Sequence, residues 1–335
     1  MNGNRTYKIW LLALVPDRRF GRWIAAASIV VIGIALFWLV VHASFRDAAA
    51  GARFRGWPVA VFFVAAVAYI VPVFHYITAR TKQAMETLMP YVTDTEDNSL
   101  ADSIDRRALG WTLRTGLVAF ALWLGQSYLL AGDWVSMWAV LTGSGLDFLM
   151  AVSPLVVWLT MTASMSALFH NAVTFRRLSA RLNVDIFEPD SYMPIGSMAV
   201  TSTLVVVGAL ALLSIMWIDG PVNWWTTLPA MAFFSPLVVA LLLIPVLPVH
   251  RRLVSLKVDA TRGAQTAVRQ ASTLDGSDAV AARAAALSYR REVARLSTWP
   301  FDVPAITRVV AYAIIVPLTW AGAALIEILV NAILS

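Results

Sequence analysis

The chain reads as an all-α integral membrane protein: seven transmembrane helices, N-terminus in the cytoplasm, C-terminus outside, and a cytosolic helical hairpin between helices six and seven. Three observations predict this. Seven long apolar stretches contain no Lys or Arg. The 26 basic residues between them alternate steeply in density: 5 before Trp23, 5 from Thr78 to Thr115, 3 from His170 to Gly196 and 10 from Arg251 to Arg308, against 3, 0 and 0 in the intervening connections. Basic loops stay on the cytoplasmic side, so the pattern sets orientation as well as topology. Finally, hydrophobic residues make up 59% and charged residues 14%, where a soluble domain carries about 25% charge.

The elements follow in order. Residues 1–22 form an N-terminal arm, in which Tyr7–Val15 is too short for a signal peptide and reads as an interfacial segment with Tyr7 and Trp10 at headgroup level. Residues 23–250 hold six spans, at about Trp23–His42, Trp57–Tyr76, Leu117–Ala131, Phe148–His170, Ser197–Trp217 and Thr227–His250. A span needs ~20 apolar residues to cross a hydrocarbon layer of ~30 Å. Continuous runs of this kind exclude a β-barrel, whose strands alternate. Spans three and four, and spans five and six, form hairpins with tight outer loops. Ser-Pro-Leu-Val-Val recurs at Ser153–Val157 and Ser235–Val239, where Pro154 and Pro236 should loosen both helices at similar depth, and Pro72 and Pro317 mark two more spans. The loop 77–116 is mixed in charge. Its acidic run Asp94–Asp102 lacks the central Gly and terminal Glu of an EF-hand loop, and reads as a solvated linker or a partner for the arginines.

Residues 251–303 carry the hairpin. Val249, Leu253, Leu256, Ala260, Ala264, Ala267 and Ala271 keep helical steps. After Asp275-Gly276-Ser277 the stripe resumes through Ala279, Ala282, Ala286, Tyr289, Val293 and Leu296, so the two arms must run antiparallel. Alanine stripes pack closely but bury little area, so the hairpin should lean on other cytosolic loops or on copies of itself. The chain returns through Trp299-Pro300-Phe301-Asp302, and residues 304–335 form the seventh span.

Composition excludes several functions. There are no cysteines, hence no disulfides or thiolate metal sites. The net charge of +6 is distributed as a topology signal, so anionic lipid headgroups, not nucleic acid, are the expected partner. Arg outnumbers Lys 23 to 3, the mark of a GC-rich bacterial genome and hence of a bacterial inner membrane. Trp134, Trp138, Trp217, Trp224 and Trp225 mark the outer boundary, and Trp10, Trp23, Trp111 and Trp299 the inner one, as an aromatic belt.

Few residues carry candidate chemistry. Asp147 and Glu327 are the only acidic residues at or within spans, and an ionisable group at that depth is a functional candidate. Glu327, with Asn331 one turn on, lies near the outer end of the last span and is the first candidate for a pore mouth or ion site; Asp147 is equally placed to cap its helix. Ser153, Thr160 and Ser164 share one face of the fourth span, with Asn171 two turns beyond, a pattern that lines water-filled paths or bonds back to its own helix. His42, His75, His170 and His250 each end a span, where the helix dipole favours them, so no metal and no other cofactor is expected. Gly143-Ser144-Gly145-Leu146-Asp147 satisfies neither the serine nor the aspartyl intramembrane protease pattern, and no phosphate loop or His-Glu-x-x-His occurs, so an enzyme is not expected.

Arg181–Phe187, Pro248–Arg252, Glu292 through Asp302, and Trp320–Glu327 resemble phrases of uncharacterised bacterial multi-pass membrane proteins, a resemblance covering about the C-terminal half and implying no activity. The topology is remotely similar to the seven-helix ion-channel superfamily of insect chemoreceptors. That similarity implies an oligomeric pore around the last helix and carries over no residue. The expected function is therefore an oligomeric ion channel or pore. The alternatives are a sensor or scaffold signalling to a cytosolic protein through the hairpin, and a secondary transporter, which scarce buried charge disfavours.

Overall fold

In a computed structural model, residues 6–44, 57–92, 104–217, 224–272 and 277–301 are described, with Thr307 and Ala311 beyond them. The all-α class holds: the molecule is mostly helical. Its elements are β1 (Thr6–Lys8), α1 (Trp10–Ala13), α2 (Gly21–Ser44), α3 (Trp57–Leu88), β2 (Arg106–Ala108), α4 (Leu109–Ala131), α5 (Trp134–Leu141), α6 (Gly145–Arg181), α7 (Met193–Leu212), α8 (Trp224–Ser272) and α9 (Ser277–Arg295). Five described helices are long and apolar enough to cross a membrane: α2, α3, α6, α7 and α8. A sixth span is counted if α4 and α5, bent by 105° to each other, are taken as one. Apart from Ala311, the seventh stretch, with Glu327, Asn331 and Pro317, lies outside the described residues, as do Asp94–Asp102 and residues 45–56.

Helices α3, α7, α8 and α6 pack as a ring, each on the next. Ile77, Leu168, Ala172, Val206 and Leu241, drawn from all four helices, fill its centre. Helix α2 lies against α3 and α6, and α4 packs chiefly on α6. The helices differ in length for a physical reason. Helices α3, α6 and α8 contain 32, 37 and 49 residues, or ~48, ~56 and ~74 Å at 1.5 Å per residue. All exceed the ~30 Å hydrocarbon layer. Their surplus emerges at the arginine-rich end, the basic end of the bundle.

There the extensions fold together. Met85 and Leu88 from α3, Phe175 and Leu178 from α6, Val184 and Ile186 from the following loop, Ile195 from α7 and Leu253 from α8 share one apolar core. The hairpin root belongs to it through Leu256, Ala260 and Leu296, and Tyr289 lies against Phe187, with ring centroids 6.1 Å apart. Beyond this root, Ala264, Ala271 and Ala286 are buried in the seam of the two arms. Thus the hairpin leans on the neighbouring loops at its base and on itself towards its tip.

Four observations differ from the sequence reading. Helix α8 continues through 250 and 251 without interruption, so the sixth span and the first arm of the hairpin are one helix. Helix α4 begins two turns before Leu117 and carries Arg114 inside it. The connection from α4 to α6 holds the helix α5, with Asp133 as its N-cap, so it is not a plain tight loop. The arm 6–15 docks on the bundle, which the sequence did not indicate: β1 pairs antiparallel with β2, and Ile9, Leu11, Leu12 and Val15 are buried against Val71, Phe74, Ala163 and Ala167. Small alanines on α6 leave a groove there, and filling it removes the arm's apolar side chains from water as well as from headgroups. Pro72 and Pro154 stand inside continuous helices, and near Pro154 the Ser153 hydroxyl donates to the Leu149 carbonyl at 2.7 Å.

Candidate functional site

Two polar assemblies occupy the basic end. The first lies under the N-terminal arm. Lys82, on the extension of α3, pairs with Asp105 at 2.6 Å. The Ile9 N–H donates to the Asp105 carbonyl at 2.9 Å, and Tyr7 stands opposite Arg107 in the β1–β2 ladder. Arg107 is 6% exposed. One of its Nη atoms donates to Asn171 Oδ1 at 3.2 Å and the other to the Arg106 carbonyl at 2.9 Å, while the guanidinium lies 5.8 Å from the Trp111 ring centroid. Burial pushes its pKa down to about 10, and Asp105 acts in the opposite direction. Among the described residues, Arg107 Nε, Asn171 Nδ2 and Asp105 Oδ1 have no hydrogen-bond partner. A buried cation with one charged neighbour and an amide is costly to break. The set therefore fixes the arm, β2 and α6 relative to one another.

The second assembly ties the hairpin to the bundle. His250 stacks on Trp299, with centroids 3.8 Å apart, and its Nδ1 lies 2.8 Å from the Thr298 carbonyl. A carbonyl only accepts, so this nitrogen carries the proton. A Cβ at Gly196 would land on the Pro300 carbonyl, so the glycine permits the returning chain to touch α7 directly. Three cations cap helix C-termini, whose last carbonyls have no partner within the helix. Arg252 donates to the Leu182 carbonyl at the end of α6, at 2.7 Å. Lys257 on α8 reaches the Ala294 and Leu296 carbonyls at the end of α9, at 3.0 and 2.6 Å. Arg283 on α9 reaches Ala271 and Ser272 at the end of α8, at 3.0 and 2.9 Å. The two arms thus cap each other.

The sequence candidates are dispersed relative to these assemblies. Asp147 forms a capping box with Ser144 at the start of α6 and is exposed. Ser153 bonds to its own helix; Thr160 does the same, donating to the Val156 and Val157 carbonyls. Ser164 is buried, with no partner for its hydroxyl among the described residues. Only Asn171, from the same face, enters a polar assembly. His75, His170 and His250 lie on different helices, and among the described residues no three His, Asp or Glu side chains group as metal ligands. Arg107 was hidden in the sequence because the Arg106-Arg107 pair reads as topology. The one signal for it was the short polar stretch before α4, which cannot be a helix of the bundle and must pair elsewhere.

A seam of indoles joins α4 to α6. Trp111 donates to Ser166 at 3.0 Å, Trp123 to the Ala151 carbonyl at 2.8 Å and Trp158 to Gln126 at 2.6 Å. Two mainly apolar cavities flank it, of about 330 and 230 Å³. Comparison with family models, curated proteins and solved structures gives no match.

Proposed function

We propose that the protein is a membrane-embedded sensor or scaffold that communicates with a cytosolic protein through its hairpin. The observation that carries this reading is the continuity of α8, one helix of 49 residues from the far end of the bundle to the hairpin tip. A connector that only linked two spans would not need it, nor the stacked and capped root that binds the hairpin to α6 and α7. The basic end faces the cytoplasm, as the positive-inside rule requires, and the membrane is the bacterial inner membrane. The partner surface is the solvent-facing side of the hairpin, where Arg262, Arg269, Arg290 and Arg291 are exposed. This suits an acidic protein surface, whose association would weaken with salt.

The test is a purification of the full chain in parallel with a variant carrying Arg262, Arg269 and Arg290 as Gln. A soluble protein that accompanies the parent at low salt and is lost from the variant supports the reading. Equal recovery with both overturns it. The oligomeric pore remains a second reading for one reason. The ring centre is filled among the described residues, so a conducting path would run between copies around the last helix. Conductance of the reconstituted protein that changes in Glu327→Gln would favour that pore over the scaffold.

A further inference from the structure

We infer that the groove between α4 and α6 is a binding site for one anionic phospholipid, its headgroup on Arg114 and an acyl chain along the seam. This inference is independent of the hairpin reading and rests only on the bundle being in a membrane. The groove holds about 330 Å³ and is open along one side. Val118, Leu122, Trp158 and Met161 line its length, and Arg114 stands with Trp111 at the basic end. From Arg114 to Leu122 the axial distance is ~12 Å. One leaflet of hydrocarbon is ~15 Å deep, half of the ~30 Å layer. The groove thus matches one chain in length and places its single cation where that chain's phosphate lies.

Arg114 identifies the occupant. It is exposed, and among the described residues it has no hydrogen-bond or ion-pair partner. The other polar groups at the groove are already committed: the Trp111 indole bonds Ser166, and the hydroxyls of Thr115 and Thr162 bond carbonyls. An apolar ridge from a second copy would fill the volume but would cover a cation without neutralising it. A zwitterionic lipid would fill it too, yet its ammonium offsets the attraction. A net anionic headgroup satisfies both the charge and the shape.

The chain contains no cysteine, so Val118→Cys provides a unique thiol at the groove for a fluorescent label. The labelled full-length protein is placed in phosphatidylcholine vesicles, and brominated phosphatidylglycerol or brominated phosphatidylcholine is titrated in. The expected result is half-maximal quenching at about fivefold lower mole fraction for phosphatidylglycerol, the preference one basic group supplies near a membrane surface. Arg114→Gln should remove that preference and Arg114→Lys should keep it. Equal quenching by both lipids in the parent overturns the proposal, as does a preference that survives Arg114→Gln. Quenching by neither lipid, with disulfide formation between two Val118→Cys chains, assigns the groove to a second copy and overturns it as well.

Discussion

The basic end of the bundle and the α4–α5 flank are held together by different means. At the basic end, α3, α6, α7, α8, the arm and the hairpin root share apolar cores, and their polar groups meet across elements far apart in sequence. On the flank, α4 packs chiefly on α6, through three indole hydrogen bonds with cavities beside them. In water, apolar area holds elements together; between helices in lipid that drive is absent, and specific packing and hydrogen bonds replace it. The end that leaves the membrane is therefore interlocked across many elements, while the flank is held along one neighbour, α6.

The comparison breaks most directly at Phe175, which is fully buried in the core of the basic end. Phe175→Ala should cost ~3–5 kcal/mol, read as a lowered unfolding midpoint in detergent. Leu117→Ala, on the exposed face of α4, should leave the midpoint nearly unchanged. Equal effects of the two would remove the distinction. Next in size, Arg107→Met leaves Asn171 Oδ1 without its donor, at ~1–3 kcal/mol. It should also release the arm, so that limited trypsin digestion cuts after Lys8 sooner than in the parent.

On the flank, Trp158→Phe removes a single hydrogen bond to Gln126, worth ~1 kcal/mol. Hydrogen exchange should rise in α4 while the hairpin root keeps its protection. Smallest is the cap of α5. The Ser136 backbone N–H, with its hydroxyl, holds the Asp133 carboxyl below the usual carboxylate range. A depressed folded pKa means that the stabilisation is complete above the unfolded value of ~4 and disappears as pH falls through the folded one. Asp133→Asn should flatten that acid dependence in α5 without altering the basic end.

Spans were legible because hydropathy and charge decide them locally: α2, α3, α6, α7 and α8 all contain the apolar runs read from the sequence. The antiparallel hairpin was legible from its alanine stripe. Contacts between distant segments were not. Tyr7 opposite Arg107 and Arg107 beside Asn171 depend on register and on which groove the alanines of α6 leave open. The arginines of the hairpin region look alike in sequence, yet Arg252 and Arg283 cap helices whereas Arg262 pairs with Asp259 on its own helix at 3.4 Å. Only the neighbours separate those roles.

The uninterrupted α8 has a mechanical consequence. From His250 to Ser272 it extends 23 residues, or ~33 Å from the first to the last. A rigid rod of that length is a lever: a tilt of ~10° at the bundle would carry its tip ~6 Å sideways. A change in the bundle as small as the seating of a lipid, if it tilted α8, would be magnified at the hairpin tip.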